Sequence, residues 1–213
     1  MPFKFNISKP IVLDLFCCAG LAAEGYIRAG FQCIGIDNKP PSSYPGLFFK
    51  SDWRTGFRSL APLADVIHAS PPCQEYSRLK AFTHVTGSDF LPDVVQALQA
   101  SGKPYIIENV TSAPLPNPFT LTGTMFGLPI LKKRAFASNV LIFVPPRTKE
   151  RSINPITVAG HVFSAPLVRK LYNILRPITR HEIAEGIPPH YTHFIGNQLM
   201  TYLTKQNTCS ERV

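Results

Sequence analysis

Residues Ile11 to Phe16 form a short apolar run that ends in a turn of small residues, Cys17-Cys18-Ala19-Gly20. A helical stretch follows from Ala22 to Ala29 and is closed by Gly30, the residue type that most readily ends a helix. The next run, Cys33-Ile34-Gly35-Ile36-Asp37, reads as a second strand that ends in a carboxylate. Strand, tight turn, helix and second strand make a crossover that opens a doubly wound sheet. The expected fold class is therefore α/β and Rossmann-like, with a doubly wound, mainly parallel sheet.

The rest of the chain keeps the alternation. Leu47–Phe49, Val66–Ala69 and Tyr105–Ile107 read as further strands, and Phe136–Val144 as one or two more. Asp89–Ala100 reads as a helix stopped by Gly102, and Asn197 begins the last helix, through Leu203. A length of 213 residues allows one well-buried α/β domain, so residues 1–213 are expected to form a single domain. The 21 prolines are dispersed and read as loop stiffeners. No apolar run approaches the roughly 18 residues of a membrane helix. Met1 to Pro10 lacks a secretory pattern, so a cytoplasmic protein without membrane contact is expected. Five cysteines with no CxxC pair argue against zinc and point to free thiols, and no metal is expected. The net charge of +9 suits a polyanionic partner such as nucleic acid.

Ligands of such sheets bind beyond the carboxyl ends of the strands, which is where the turn at Cys18, Ala19 and Gly20 falls. Small residues there let backbone approach a ligand. Asp37 is placed to accept hydrogen bonds from two ribose hydroxyls, as an acid does for NAD or for S-adenosylmethionine (SAM). The absence of a full GxGxxG pattern favours SAM. Asp52 either contacts an adenine amino group or is a solvated loop acid.

The chemical end begins at Ser70-Pro71-Pro72-Cys73-Gln74, after the strand Val66–Ala69. Pro71 and Pro72 fix the backbone so that Cys73 is presented at the sheet edge, as a nucleophile would be. Its thiol would need activation, and alone it would read as a buried structural cysteine. Glu108-Asn109-Val110 follows the strand Tyr105–Ile107, with enough chain after Cys73 for one crossover helix. An acid and a thiol can therefore meet across adjacent strand ends.

Taken in order, Asp14-Leu15-Phe16 with Ala19-Gly20, Pro71-Pro72-Cys73-Gln74, Glu108-Asn109-Val110, the basic cluster Lys132-Lys133-Arg134, Arg176-Pro177-Ile178-Thr179-Arg180-His181-Glu182 and Ile195-Gly196-Asn197 resemble the DNA cytosine-5 methyltransferase family. The likeness runs from Asp14 to Asn197. It implies a SAM-dependent methyltransferase fold and an enzyme that methylates cytosine C5 in DNA, with S-adenosylhomocysteine as product. Cys73 would add to C6 of the base. Glu108 would hold or protonate N3, Asn109 would shape the base pocket and Arg134 would contact O2. Lys132 stands where the family has arginine and keeps only the charge. Phe16 would stack on the adenine of SAM, Asp37 and Asp52 would bind its ribose and adenine, and Asn197 would complete its methionine end. The family's glycine-rich turn is altered, with Cys18 and Leu21 in place of glycines, and Ile130 replaces a glutamine.

The family's RxLTxRE-like motif, here Arg176 to Glu182, normally organises a target recognition domain inserted before it. Residues 145–175 leave room only for a short remnant, so the domain is reduced or absent. Sequence readout needs groove contacts, so short or relaxed specificity is expected. Such a protein suits phage or restriction-modification biology in a bacterial or phage-infected cell. It would act as a monomer on double- or single-stranded DNA. Arg147, Lys149, Arg151, Arg169 and Lys170 would grip phosphates, and Arg78, Lys80 or His84 would fill the gap left by a flipped base. The alternatives are methylation of a free cytidine nucleotide or of RNA, and a non-catalytic DNA-binding or anti-restriction module.

Overall fold

The computed structural model describes residues 6, 8–76, 89–145, 155–160 and 162–210. Seven strands form one sheet: β1 (Ile11–Leu15), β2 (Gln32–Asp37), β3 (Leu47–Lys50), β4 (Val66–Ala69), β5 (Tyr105–Asn109), β6 (Phe119–Leu121) and β7 (Arg134–Ser138). Their spatial order is β3-β2-β1-β4-β5-β7-β6. The first five are parallel, and β7 alone runs against both its neighbours. The helices are α1 (Leu21–Arg28), α2 (Trp53–Leu60), α3 (Leu91–Ala100), α4 (Ala165–Tyr172), α5 (Arg180–Glu185) and α6 (Pro189–Ser210). The chain thus has the doubly wound, Rossmann-like α/β architecture expected from its sequence.

Alternation along the strands sorts the core into two layers. Leu13, Leu15, Ile67 and Ile107 face α2 and α3, while Val12, Cys33, Val66 and Ile106 face α1 and α6. Burying each such aliphatic side chain is worth roughly 2 kcal/mol. Helices α1 and α6 pack closely because Gly25 lacks a side chain: a Cβ there would lie 2.0 Å from Thr192 Oγ1. The described residues include no helix long and apolar enough to cross a membrane.

Some expected boundaries move. The strand expected at Phe136–Val144 is Arg134–Ser138 instead. Asn139 ends it, its Oδ1 accepting from the Tyr105 N–H and its amide donating to the Lys103 carbonyl. Val140 and Ile142 then pack toward α6, where the Phe143 N–H donates to Gln198 Oε1 (2.8 Å). Helix α6 begins at Pro189, eight residues before Asn197, because proline is tolerated in a first helical turn. Helix α2, absent from the expected elements, is only eight residues long and carries an internal Gly56, so it lacks the length by which a helix announces itself.

Candidate active site

The reversal of β7 brings the candidate catalytic residues together. In the antiparallel β5–β7 ladder, Glu108 pairs with Phe136 and Asn109 with Ala135, so the amino end of β7 lies at the carboxyl end of β5. Arg134, the first residue of β7, therefore reaches Glu108, with Nε 3.0 Å from Oε1. Both side chains are largely buried, at 19% and 8% exposure. Oε1 is buried and, apart from this ion pair, receives no hydrogen bond. Burial raises the Glu108 carboxyl above its usual range, against the opposing charges of Arg134 and Lys132.

Cys73 stands in the loop after β4, half-buried. Asn109 fixes that loop, its Nδ2 donating to the Pro71 carbonyl (3.0 Å). Burial raises the Cys73 thiol, the Arg134 guanidinium lowers it, and the Glu108 carboxylate raises it again. Cys73, Glu108 and Arg134 thus share one electrostatic neighbourhood. Pro72 lies between the anchored Pro71 and Cys73 and keeps that connection stiff.

Lys132 does not face outward as a loose charge. It is 2% exposed, and its Nζ donates to the carbonyls of Ile183 (3.3 Å) and Ala184 at the end of α5. Burial, aided by Arg134, lowers its ammonium to about 7. Tyr191 holds the backbone there, its hydroxyl donating to the Lys132 carbonyl (2.7 Å). Ile130 is fully buried and bridges to Ile156, which ties this segment to residues from the 145–175 region.

At the cofactor end the turn after β1 is strained. Phe16 (φ 60°) and Cys18 (φ 44°) both take left-handed backbone, at a cost on the order of 1 kcal/mol or more each. The Cys18 N–H donates to Asp37 Oδ2 (3.0 Å), joining the turn to the end of β2. Gly20 (φ 68°) also packs against the loop after β2: a Cβ there would meet Tyr44 and Pro45 at 2.6 Å. The Phe16 ring lies 5.9 Å from Trp53 and stacks with Phe90 at 6.1 Å. Neither Trp53 nor Phe90 stood out in the sequence, because single aromatics outside a motif carry no signal. Trp53 Nε1 is buried with no partner. An aromatic wall, a carboxylate at the β2 end and a turn of small residues fit an adenosine-bearing group such as SAM.

Two expected cofactor residues stand differently. Asp52 is exposed and caps α2, its Oδ1 accepting from the Thr55 N–H (3.0 Å), and that bonding lowers its carboxyl. Asn197 is not brought to the site. The neighbouring Gly196 packs on Ala29 beyond the far end of α1, about 12 Å of helix from the turn. Asn197 itself is exposed and bonds His193 within α6 (3.3 Å). The first turn of α6 is what approaches α1's beginning, through Thr192 Oγ1 donating to the Ala22 carbonyl (2.8 Å).

Of the expected phosphate contacts, Arg169 donates from Nη2 to the Leu175 and Arg176 carbonyls (3.3 and 3.1 Å), and Lys170 is exposed on α4. Arg78, Lys80, His84, Arg147, Lys149 and Arg151 lie outside the described residues. Among the described residues no cluster of three histidine, cysteine or carboxylate side chains is placed to hold a metal.

No protein-family model matches the chain. No curated protein sequence matches it either. Solved structures similar to it include a candidate DNA modification methyltransferase encoded within an E. coli prophage (21% identity, 70% of this chain and 53% of that one, TM-score 0.46). Others are a mutant of Spodoptera frugiperda DNMT2 (15%, 66% and 54%, TM-score 0.46) and the Entamoeba histolytica methyltransferase EhMeth (15%, 67% and 58%, TM-score 0.44). The chain spans about half the length of these proteins. At such identities the chemistry has to be read from the residues themselves.

Proposed function

We propose that this chain is a SAM-dependent methyltransferase acting on C5 of cytosine in DNA, with little sequence preference. In this reading residues 1–213 form one catalytic domain, and residues 145–175 are the remnant of a recognition region. The observation that carries it is the buried Glu108–Arg134 pair beside Cys73, on the same sheet edge as Asp37 and the strained turn.

Cytosine C5 is too weak a nucleophile to take a methyl group unaided. The bound cofactor supplies an electrophilic methyl; Phe16, Cys18, Ala19, Gly20 and Asp37 would hold it. Cys73 makes C5 reactive by forming a bond to C6. That requires the thiol to lose its proton, and burial opposes the loss. Glu108 answers this need: as a carboxylate that burial pushes toward protonation, it takes up the proton. Taking it up also cancels the negative charge that disfavours the Cys73 thiolate. The same proton then serves cytosine N3, so no charge builds on the ring as the S–C6 bond forms. Arg134 steadies Glu108 and contacts O2. Once C5 carries the methyl group, its proton leaves to solvent water, N3 returns its proton to Glu108, and breakage of the S–C6 bond regenerates Cys73. Duplex DNA must also release the base from the stack, at a cost on the order of a few kcal/mol.

The test offers methyl-labelled SAM with duplex DNA, single-stranded DNA, RNA and dCMP in competition. Label in 5-methylcytosine of DNA is the expected result. Label only in RNA or dCMP would move the substrate while keeping the chemistry. SAM binding with no transfer to any of them would replace the enzyme by a binding module.

A further inference from the structure

We infer that Arg176 is a positioning residue for the cofactor turn, and that the Arg176–Glu182 segment serves this turn here. The inference rests on the methyltransferase reading above. It departs from the duty expected of that segment, which was to organise a recognition domain.

The geometry is specific. Arg176 is 15% exposed, and each arm of its guanidinium is engaged. Nε donates to Glu24 Oε1 of α1 (2.7 Å), and Nη1 donates to both the carbonyl and the hydroxyl of Ser43 (2.9 Å each). Nη2 donates to the carbonyl of Ala19, inside the turn itself. Three separate stretches, the turn, the start of α1 and the loop after β2, therefore converge on one planar side chain. Lysine cannot reproduce that fork.

The neighbouring contacts act in the same sense. Glu182 accepts from the Ser42 N–H (2.8 Å) and hydroxyl (2.7 Å), while it completes the capping box of α5 with Thr179. Ser43 donates its hydroxyl to the Pro177 carbonyl. Held from below by these bonds, the loop lays Tyr44 and Pro45 against Gly20. The turn is thus gripped on both sides.

A grip is needed because two of the turn's three left-handed positions are not glycine. Cys18 sits at φ 44° and Phe16 at φ 60°. Such conformations persist only where the surroundings over-determine them. The strands beside the turn hold its first half, through the Cys17 N–H on the Ile36 carbonyl (3.1 Å), the Cys18 N–H on Asp37 and the Ser70 hydroxyl on the Phe16 carbonyl (3.4 Å), while Arg176 holds its second half at the Ala19 carbonyl. Arg176 holds in shape a cofactor turn that its own sequence would relax.

The test uses the full chain and measures SAM and S-adenosylhomocysteine affinity by calorimetry, beside melting curves and kinetic constants. Arg176→Gln is expected to weaken both ligands by about tenfold or more, to raise KM for SAM and to leave kcat at saturating SAM within about threefold. Arg176→Lys, which keeps the charge and carries the test if the glutamine variant does not fold, is expected to fall between. Adding Cys18→Gly, which removes the strain, is expected to restore most of the lost affinity to either variant. Folded Arg176 variants with wild-type affinity overturn the inference. So does lost affinity that Cys18→Gly fails to restore, since Arg176 would then act only on general stability. A wild-type chain that binds neither ligand overturns the methyltransferase reading instead, so the two failures are distinct.

Discussion

Glu108 meets Arg134 because two hydrogen-bonded strands run in opposite directions, whereas Ala19 meets Arg176 because one side chain spans between stretches far apart in sequence. At the candidate catalytic end Glu108 and Arg134 are placed by sheet register, and Cys73 by the loop just beyond a strand end. At the candidate cofactor end the turn is strained, and it and the loop beside it receive contacts from the Arg176–Glu182 segment. A site built on register tolerates change around it. A site built on remote side chains fails when one of them is lost.

The largest expected effect breaks the catalytic end alone. Cys73→Ala should lower methyl transfer by at least about a thousandfold while melting as the wild type does, because a nucleophile contributes chemistry and little packing. Labelled-methyl incorporation and a melting curve check both halves. Next comes the ion pair. Arg134→Leu leaves Glu108 buried and unpaired, and should destabilise the fold by about 3 kcal/mol besides losing activity. Denaturant unfolding measures it. At the cofactor end, Asp37→Asn should weaken SAM binding by about tenfold and spare the fold, because the lost charge serves the ligand more than the turn. Calorimetry reads that difference.

The two ends also differ in sign with pH. Asp14, buried beneath the turn and bonded by the Tyr44 hydroxyl (3.1 Å), has its carboxyl raised from 3.8 to about 7, chiefly by burial. A raised carboxyl contributes stability that is full below 3.8 and is lost as pH rises through about 7. Lys132 is lowered from 10.5 to about 7, so its contribution is full above 10.5 and is lost as pH falls through about 7. Melting temperatures across pH should therefore show Asp14→Asn flattening the acid side of the profile and Lys132→Met the alkaline side. Exchanged effects would contradict the assignment. The smallest effect is expected at Asn197. Asn197→Ala should change SAM affinity by less than about twofold, because the residue is exposed on α6 and away from the turn.

What the sequence disclosed divides along the same line. The β1-turn-α1-β2 unit and the strands before Cys73 and Glu108 were readable because apolar runs and their terminating turns are local signals. Register was not readable: nothing in the sequence of Lys132-Lys133-Arg134 announces that β7 reverses, although the reversal is what brings Arg134 to Glu108. The same holds for Lys132, whose burial against the end of α5 depends on long-range packing. Asn197 shows the converse. A short motif matched, but the helix carrying it starts eight residues earlier and places it along the far part of α1. Trp53, Phe90 and the grip of Arg176 escaped because they are defined by what they touch.

The central claim, that Cys73 attacks C6, is tested most directly by trapping. A DNA oligonucleotide carrying 5-fluorocytosine cannot lose its C5 substituent as a proton, so the S–C6 bond should persist after methyl transfer. Incubation with SAM should yield a covalent protein–DNA species whose peptide mass places the link at Cys73, and Cys73→Ala should abolish it. Methylated cytosine without any adduct, or an adduct at another cysteine, would contradict the account.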